Sequence, residues 1–104
     1  MKLNEAIAAR SQKRIEPVDL NIEGIEPVHV LRLNVGQVLK LAKLGDEEGG
    51  LRLVAESIVD EAGSPVFENI DQVRAIDWQL CQALIDASNQ INGLADRKEQ
   101  AGKN

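Results

Sequence analysis

The chain has 104 residues, a net charge of −5 and 31 Leu, Ile, Val and Phe side chains, enough for the core of a single small domain and too many for a disordered segment. Its acidic balance and its aromatic content (one Phe, one Trp, no Tyr) exclude a general nucleic-acid binder, which needs cations to displace counterions from phosphates and rings to stack on bases. No apolar run reaches the roughly 18 to 20 residues of a membrane span, the first ten residues lack a signal-peptide core, and the lone Cys81 removes disulfide, Cys-x-x-Cys and zinc readings, so a cytosolic protein is the expectation.

The charge is unevenly placed. Residues 1–14 carry a net +3 and the remainder a net −8. Leu3, Ile7 and Arg10 have helical spacing, but the apolar face is thin, and residues 1–14 are assigned as a flexible basic arm. Glu16-Pro17 breaks any helix there. Val18, Leu20 and Ile22 alternate with polar residues, which predicts a strand; residues 23–27 supply turn chemistry; 28–33 predict the returning strand of a loose hairpin. Two strands are marginal alone, so the hairpin must pack on helices or pair with another chain.

Asn34 with Gln37 has the spacing of a capping box and starts a short helix carrying Val38, Leu39, Leu41, Ala42 and Leu44, ended by Gly45. Asp46, Glu47 and Glu48 then place negative charge on the first turn of a second helix. Leu51, Val54, Ala55, Ile58 and Val59 follow at i, i+3, i+4, i+7 and i+8, which predicts a helix running to Ala62-Gly63. Asn69 caps a short helix from Ile70 to about Ala75. Asp77 caps the longest one, whose inward stripe is Leu80, Leu84, Ala87 and Ile91, flanked by Cys81, Ile85 and Ser88, and Asn92-Gly93 stops it. Residues 94–104 are a polar, fraying tail. The expected fold is α+β and helix-dominated, a small N-terminal β-hairpin followed by three to four packed helices, with residues 15–93 as one globular domain.

No pattern of residues assembles a catalytic site. Cys81 lies mid-helix beside an apolar stripe and His29 lies between valines on a strand, so neither is placed as a nucleophile–base pair. Asp60 to Asp71 has the length of a calcium loop, yet its third, fifth and sixth positions are Ala62, Ser64 and Pro65, where oxygen ligands and a glycine belong. The glycine-rich run from Gly45 to Gly50 has three carboxylates and no lysine, which repels phosphate. Glu47-Glu48 and Asp60-Glu61 sit at helix ends, where solvated acids are usual. No catalytic, cofactor or metal site is therefore assigned. Trp78 opens the last helix as a packing or an interface anchor.

The run Ile58-Val59-Asp60-Glu61-Ala62-Gly63-Ser64-Pro65-Val66-Phe67, followed by a capped helix and a longer one, resembles the tail assembly chaperones of long-tailed bacteriophages. The extended Val28 to Leu33, the hinge at Asn34, the leucine-rich helix, and the closing Leu84 to Leu94 and Glu99 to Asn104 fit as well, so the resemblance covers residues 18–104; the basic arm departs from it. The resemblance implies a non-enzymatic protein of the host bacterial cytoplasm, absent from the mature virion. It would bind the tape measure protein and keep it soluble while the tail tube assembles, with the major tail tube protein as a second contact and no nucleic-acid or membrane partner. Self-association is open. A structural tail or connector subunit and an acidic, antitoxin-like binding module are the alternatives. The residues expected at the partner surface are Val38, Leu41, Leu51, Val54, Ile58 and Trp78.

Overall fold

The computed structural model describes residues 1–12 and 14–93; the tail assigned to 94–104 lies outside them. Chain order is α1 (Leu3–Gln12), β1 (Ile15–Val18), β2 (Val28–Leu31), α2 (Val35–Ala42), α3 (Asp46–Ser57), β3 (Ile58–Val59), α4 (Ile70–Arg74) and α5 (Trp78–Asn92). The three strands form an antiparallel sheet in the order β1-β2-β3. This is the helix-dominated α+β fold expected from the sequence, with a hairpin followed by four helices.

The hairpin differs from its expected boundaries. β1 lies three residues earlier, pairing Ile15 with Leu31 and Val18 with Val28, so it runs through Pro17, and the loop spans 19–27. Sheet topology explains why proline is accepted. The ladder is extended by the Arg32 N–H donating to the Arg14 carbonyl. Hydrogen-bonded pairs alternate with non-bonded ones, which puts Pro17 in a non-bonded pair opposite His29. Its missing N–H faces the free edge of the sheet and costs no ladder bond. Asn21, expected within the strand, turns the chain instead. Its φ of 59° is left-handed, and its N–H donates to the Asp19 carboxylate at 2.8 Å.

The second difference is β3. Helix α3 stops at Ser57 and the chain passes directly into an extended Ile58–Val59 that pairs with Val30 and His29. Two β-branched residues read as the last turn of a helix thus complete the sheet. They put Ile58 on the face shared with Val18, Val28 and Val30, and Val59 on the opposite face with Ile15 and Leu31. The first face is the core. Val30 and Val54 are fully buried there with Val18, Ile58, Val73, Cys81, Leu84 and Ala87.

Two polar devices fix the helices to this core. Ser57 Oγ lies 2.6 Å from the Leu53 carbonyl and 2.7 Å from Ser88 Oγ, both hydroxyls being buried. Ser57 has one proton, so when it donates to the Leu53 carbonyl, Ser88 donates to Ser57, and α3 and α5 are joined where no water competes. At the end of α5, the Asn92 side chain accepts from the Leu33 N–H at 2.8 Å and donates to the Leu31 carbonyl at 3.3 Å. Arg32 adds an ion pair to Glu16 at 2.8 Å, part-exposed and therefore worth at most about 1 kcal/mol. Three N-caps and the last C-cap are those expected, whereas Gly45, expected to end α2, is the N-cap of α3 with φ −66°, and α2 is closed at Lys43. Asn34 and Gln37 form a complete capping box, Asn69 and Asp77 accept from the N–H groups of Gln72 and Leu80, and Gly93 closes α5 with φ 72°.

Asn92→Ala removes both strand contacts and leaves the Leu33 N–H without its acceptor. It is expected to cost about 1–3 kcal/mol in urea unfolding, whereas an unchanged midpoint contradicts the clamp. Leu41→Asp and Ile58→Asp place a carboxylate at positions buried in the fold and are expected to abolish folding, read as loss of a cooperative thermal transition.

Candidate functional site

The residues expected at a partner surface separate into two groups. Leu41, Val54 and Ile58 are buried, Val38 and Leu51 are half-buried, and Trp78 is 76% exposed. The buried three hold the fold together and meet no partner while it is intact. The outward face of α2 carries apolar residues instead. Val35 is 74% and Leu39 58% exposed, and with exposed Ala42 they stand at i, i+4 and i+7 on one side of the helix. Of the apolar residues expected on this helix, Leu41 turns into the core while Leu39 and Ala42 face outward beside Val35.

A separate pocket of about 330 Å³ opens on the outer face of the sheet. Leu31 and Val59 of the strands, Ala55 of α3, and Pro65 and Phe67 give it an apolar lining. Gln37, Arg52, Glu56, Glu68 and Asn69 supply the polar rim. The segment after β3 shapes it. Val59 bridges to Pro65, and the Asp60 carboxylate accepts the N–H groups of Ala62 and Ser64, each at 2.9 Å. Asp60 therefore serves as a turn-forming acceptor in the segment tested above as a calcium loop. Gly63 closes the turn with φ +92°, and a Cβ there would stand 3.1 Å from Ile15 Cδ1, so both conformation and space call for glycine. One carboxylate oxygen of Glu56 is shut away from water with no hydrogen-bond donor, a costly state for an acceptor.

His29 and Cys81 do not meet. His29 pairs with Pro17 and Val59 on the outer side of the sheet, while Cys81 is buried in the core with Val30. Among the described residues no group of three or more His, Cys, Asp or Glu side chains is placed to hold a metal ion, and no helix is long and apolar enough to cross a membrane. The chemistry this surface offers is apolar burial with charge at the margins. Comparison with family models, with curated proteins and with solved structures finds no match to this chain.

Burial pushes the Cys81 thiol above its ordinary value of about 9. The folded state therefore holds the proton that the unfolded state loses first. The contribution of Cys81 to stability is complete below the unfolded value and declines as pH rises through and beyond it. The stability difference between wild type and Cys81→Ala is expected to be constant at neutral pH and to change against the wild type above about pH 9. Parallel pH profiles of the two proteins contradict this. Under native conditions the thiol is expected to resist a disulfide-exchange reagent until the chain unfolds.

Proposed function

We propose that this chain is a non-enzymatic tail assembly chaperone of the long-tailed bacteriophage type, acting in the host cytoplasm and leaving before the virion matures. It binds the tape measure protein and keeps that long helical chain soluble until tail tube subunits enclose it; the tube protein is a second contact. The observation that carries a binding role is the apolar surface left on the helices of a small acidic protein: Val35 and Leu39 on the outer face of α2 and Trp78 at the head of α5. Large side chains exposed in this way are the usual anchors of a protein–protein contact. The phage assignment rests on the sequence resemblance.

The physical logic is direct. A long amphipathic helix without its tube associates through its own apolar faces. A chaperone that offers an apolar helix face covers that stripe, and its net charge of −5 keeps the complex soluble. Because Val35, Leu39 and Trp78 are exposed, they can be changed without touching the core.

Co-expression with the tape measure protein, followed by affinity purification and sizing, tests the reading. One soluble complex is expected, with the tape measure protein insoluble alone. Leu39→Asp and Trp78→Ala are each expected to weaken the complex about tenfold or more while the free chain keeps its unfolding midpoint within about 0.5 kcal/mol. A tape measure protein that stays soluble alone and elutes separately contradicts the proposal, and recovery of the chain in purified virions favours a structural tail role.

A further inference from the structure

Both edges of the sheet end in proline, and the two prolines belong to one row. Pro17 pairs with His29, His29 with Val59, and Val59 bridges to Pro65. A single line of residues therefore crosses the sheet from Pro17 to Pro65. The chain has three prolines, and two of them stand at the ends of this line.

The hydrogen-bond pattern puts each ring nitrogen on the outside. On the β1 side, the Arg32 N–H donates to the Arg14 carbonyl. Bonded pairs recur at every second residue, so Glu16 and Val18 turn their backbone groups toward β2, while Ile15 and Pro17 turn theirs toward the free edge. On the far side, the Asp60 N–H donates to the Ser64 carbonyl at 2.9 Å and the Val66 N–H to the Ile58 carbonyl at 3.2 Å. These two bonds flank Val59 and Pro65 and make them a non-bonded pair, so Pro65 faces away from β3. Both prolines are exposed. Of the three outward-facing residues in β1 and 64–66, namely Ile15, Pro17 and Pro65, only Ile15 has an N–H to offer.

A sheet edge with unpaired N–H and C=O groups is a template for a strand of another molecule. A strand added here would have to bond at these outward positions. At each proline its carbonyl meets a ring carbon in place of a donor and is buried without a partner. We propose that Pro17 and Pro65 are a matched pair of edge blocks that keep this sheet from adding a strand of a second copy of the chain. Neither nitrogen serves the ladder, so the block costs the fold no hydrogen bond. The proposal is independent of the chaperone reading, which uses α2 and Trp78.

Pro17→Thr and Pro65→Thr test it, since each supplies the missing donor on a strand-forming residue without adding a large apolar side chain. Both variants are expected to keep the cooperative unfolding transition of the wild type. In sedimentation equilibrium of the full chain, each is expected to self-associate ~10-fold or more tightly than the wild type, because a two-fold strand pair at one edge gains a donor for two carbonyls. The double variant has two open edges per copy and is expected to form larger assemblies of mixed size. The new amide at position 17 or 65 reports the surface used: by hydrogen exchange it is expected to be unprotected in dilute solution and protected on concentration. A variant that sediments like the wild type at every concentration overturns the block at that edge. Association that leaves the new amide unprotected overturns the proposal, as does loss of the unfolding transition in both variants, which assigns the prolines to the stability of the fold itself.

Discussion

The fold depends on the place where α3 becomes β3 without a connecting loop. At Ser57 the backbone leaves the helix, and at Ile58 it is already paired with Val30. One covalent step therefore fixes a helix to the sheet, gives β2 its second neighbour, and seals Val30 between β1 and β3. A hairpin of two four-residue strands would otherwise be marginal in water. The buried Ser57–Ser88 hydroxyl pair sets where α5 lies against that junction. Asn92 then ties the far end of α5 back to the end of β2. The sheet, α3 and α5 consequently form one cooperative body, with α4 packed on it through Val73.

This arrangement decides which apolar residues are free to meet a partner. The core consumes Val54, Ile58 and Leu84, and it takes the inward side of α2 through Leu41. Among the described residues, the apolar groups left outside include the second side of α2, Trp78, Val66, and Leu3 and Ile7 of α1, with the pocket beside the outer sheet face. Small domains have little apolar surface to spare, and the proposed binding role draws on what is left exposed.

The helices were legible, and four of their ends with them, because caps are local. Asn34 with Gln37, Asn69 with Gln72, Asp77 and Gly93 act over three or four residues, and each occupies the expected position. The strands were legible only in part. Proline at position 17 is excluded from a central strand and accepted at an edge, and sequence alone does not say which strand is the edge. Ile58 and Val59 continue the helical spacing of Leu51, Val54 and Ala55. The helix yields there because β-branched residues favour extended backbone and because β2 offers unpaired groups to them. That competition is tertiary, and the helical period conceals it. The same limit applies to the candidate surface. A helix with apolar residues on two sides gives one composition, and only packing shows that Leu41 turns inward while Val35 and Leu39 face out.

The most direct test of this account is native-state hydrogen exchange on the free chain. If the α3–β3 junction holds sheet and helices together, the amides of Val30, Val54, Ile58 and Leu84 will exchange at one slow rate that tracks global unfolding, while those of α1 and of 19–27 exchange far faster. Exchange of the β2 and β3 amides well before those of α3 and α5 would contradict it, showing a sheet that opens by itself and a core that does not depend on the junction.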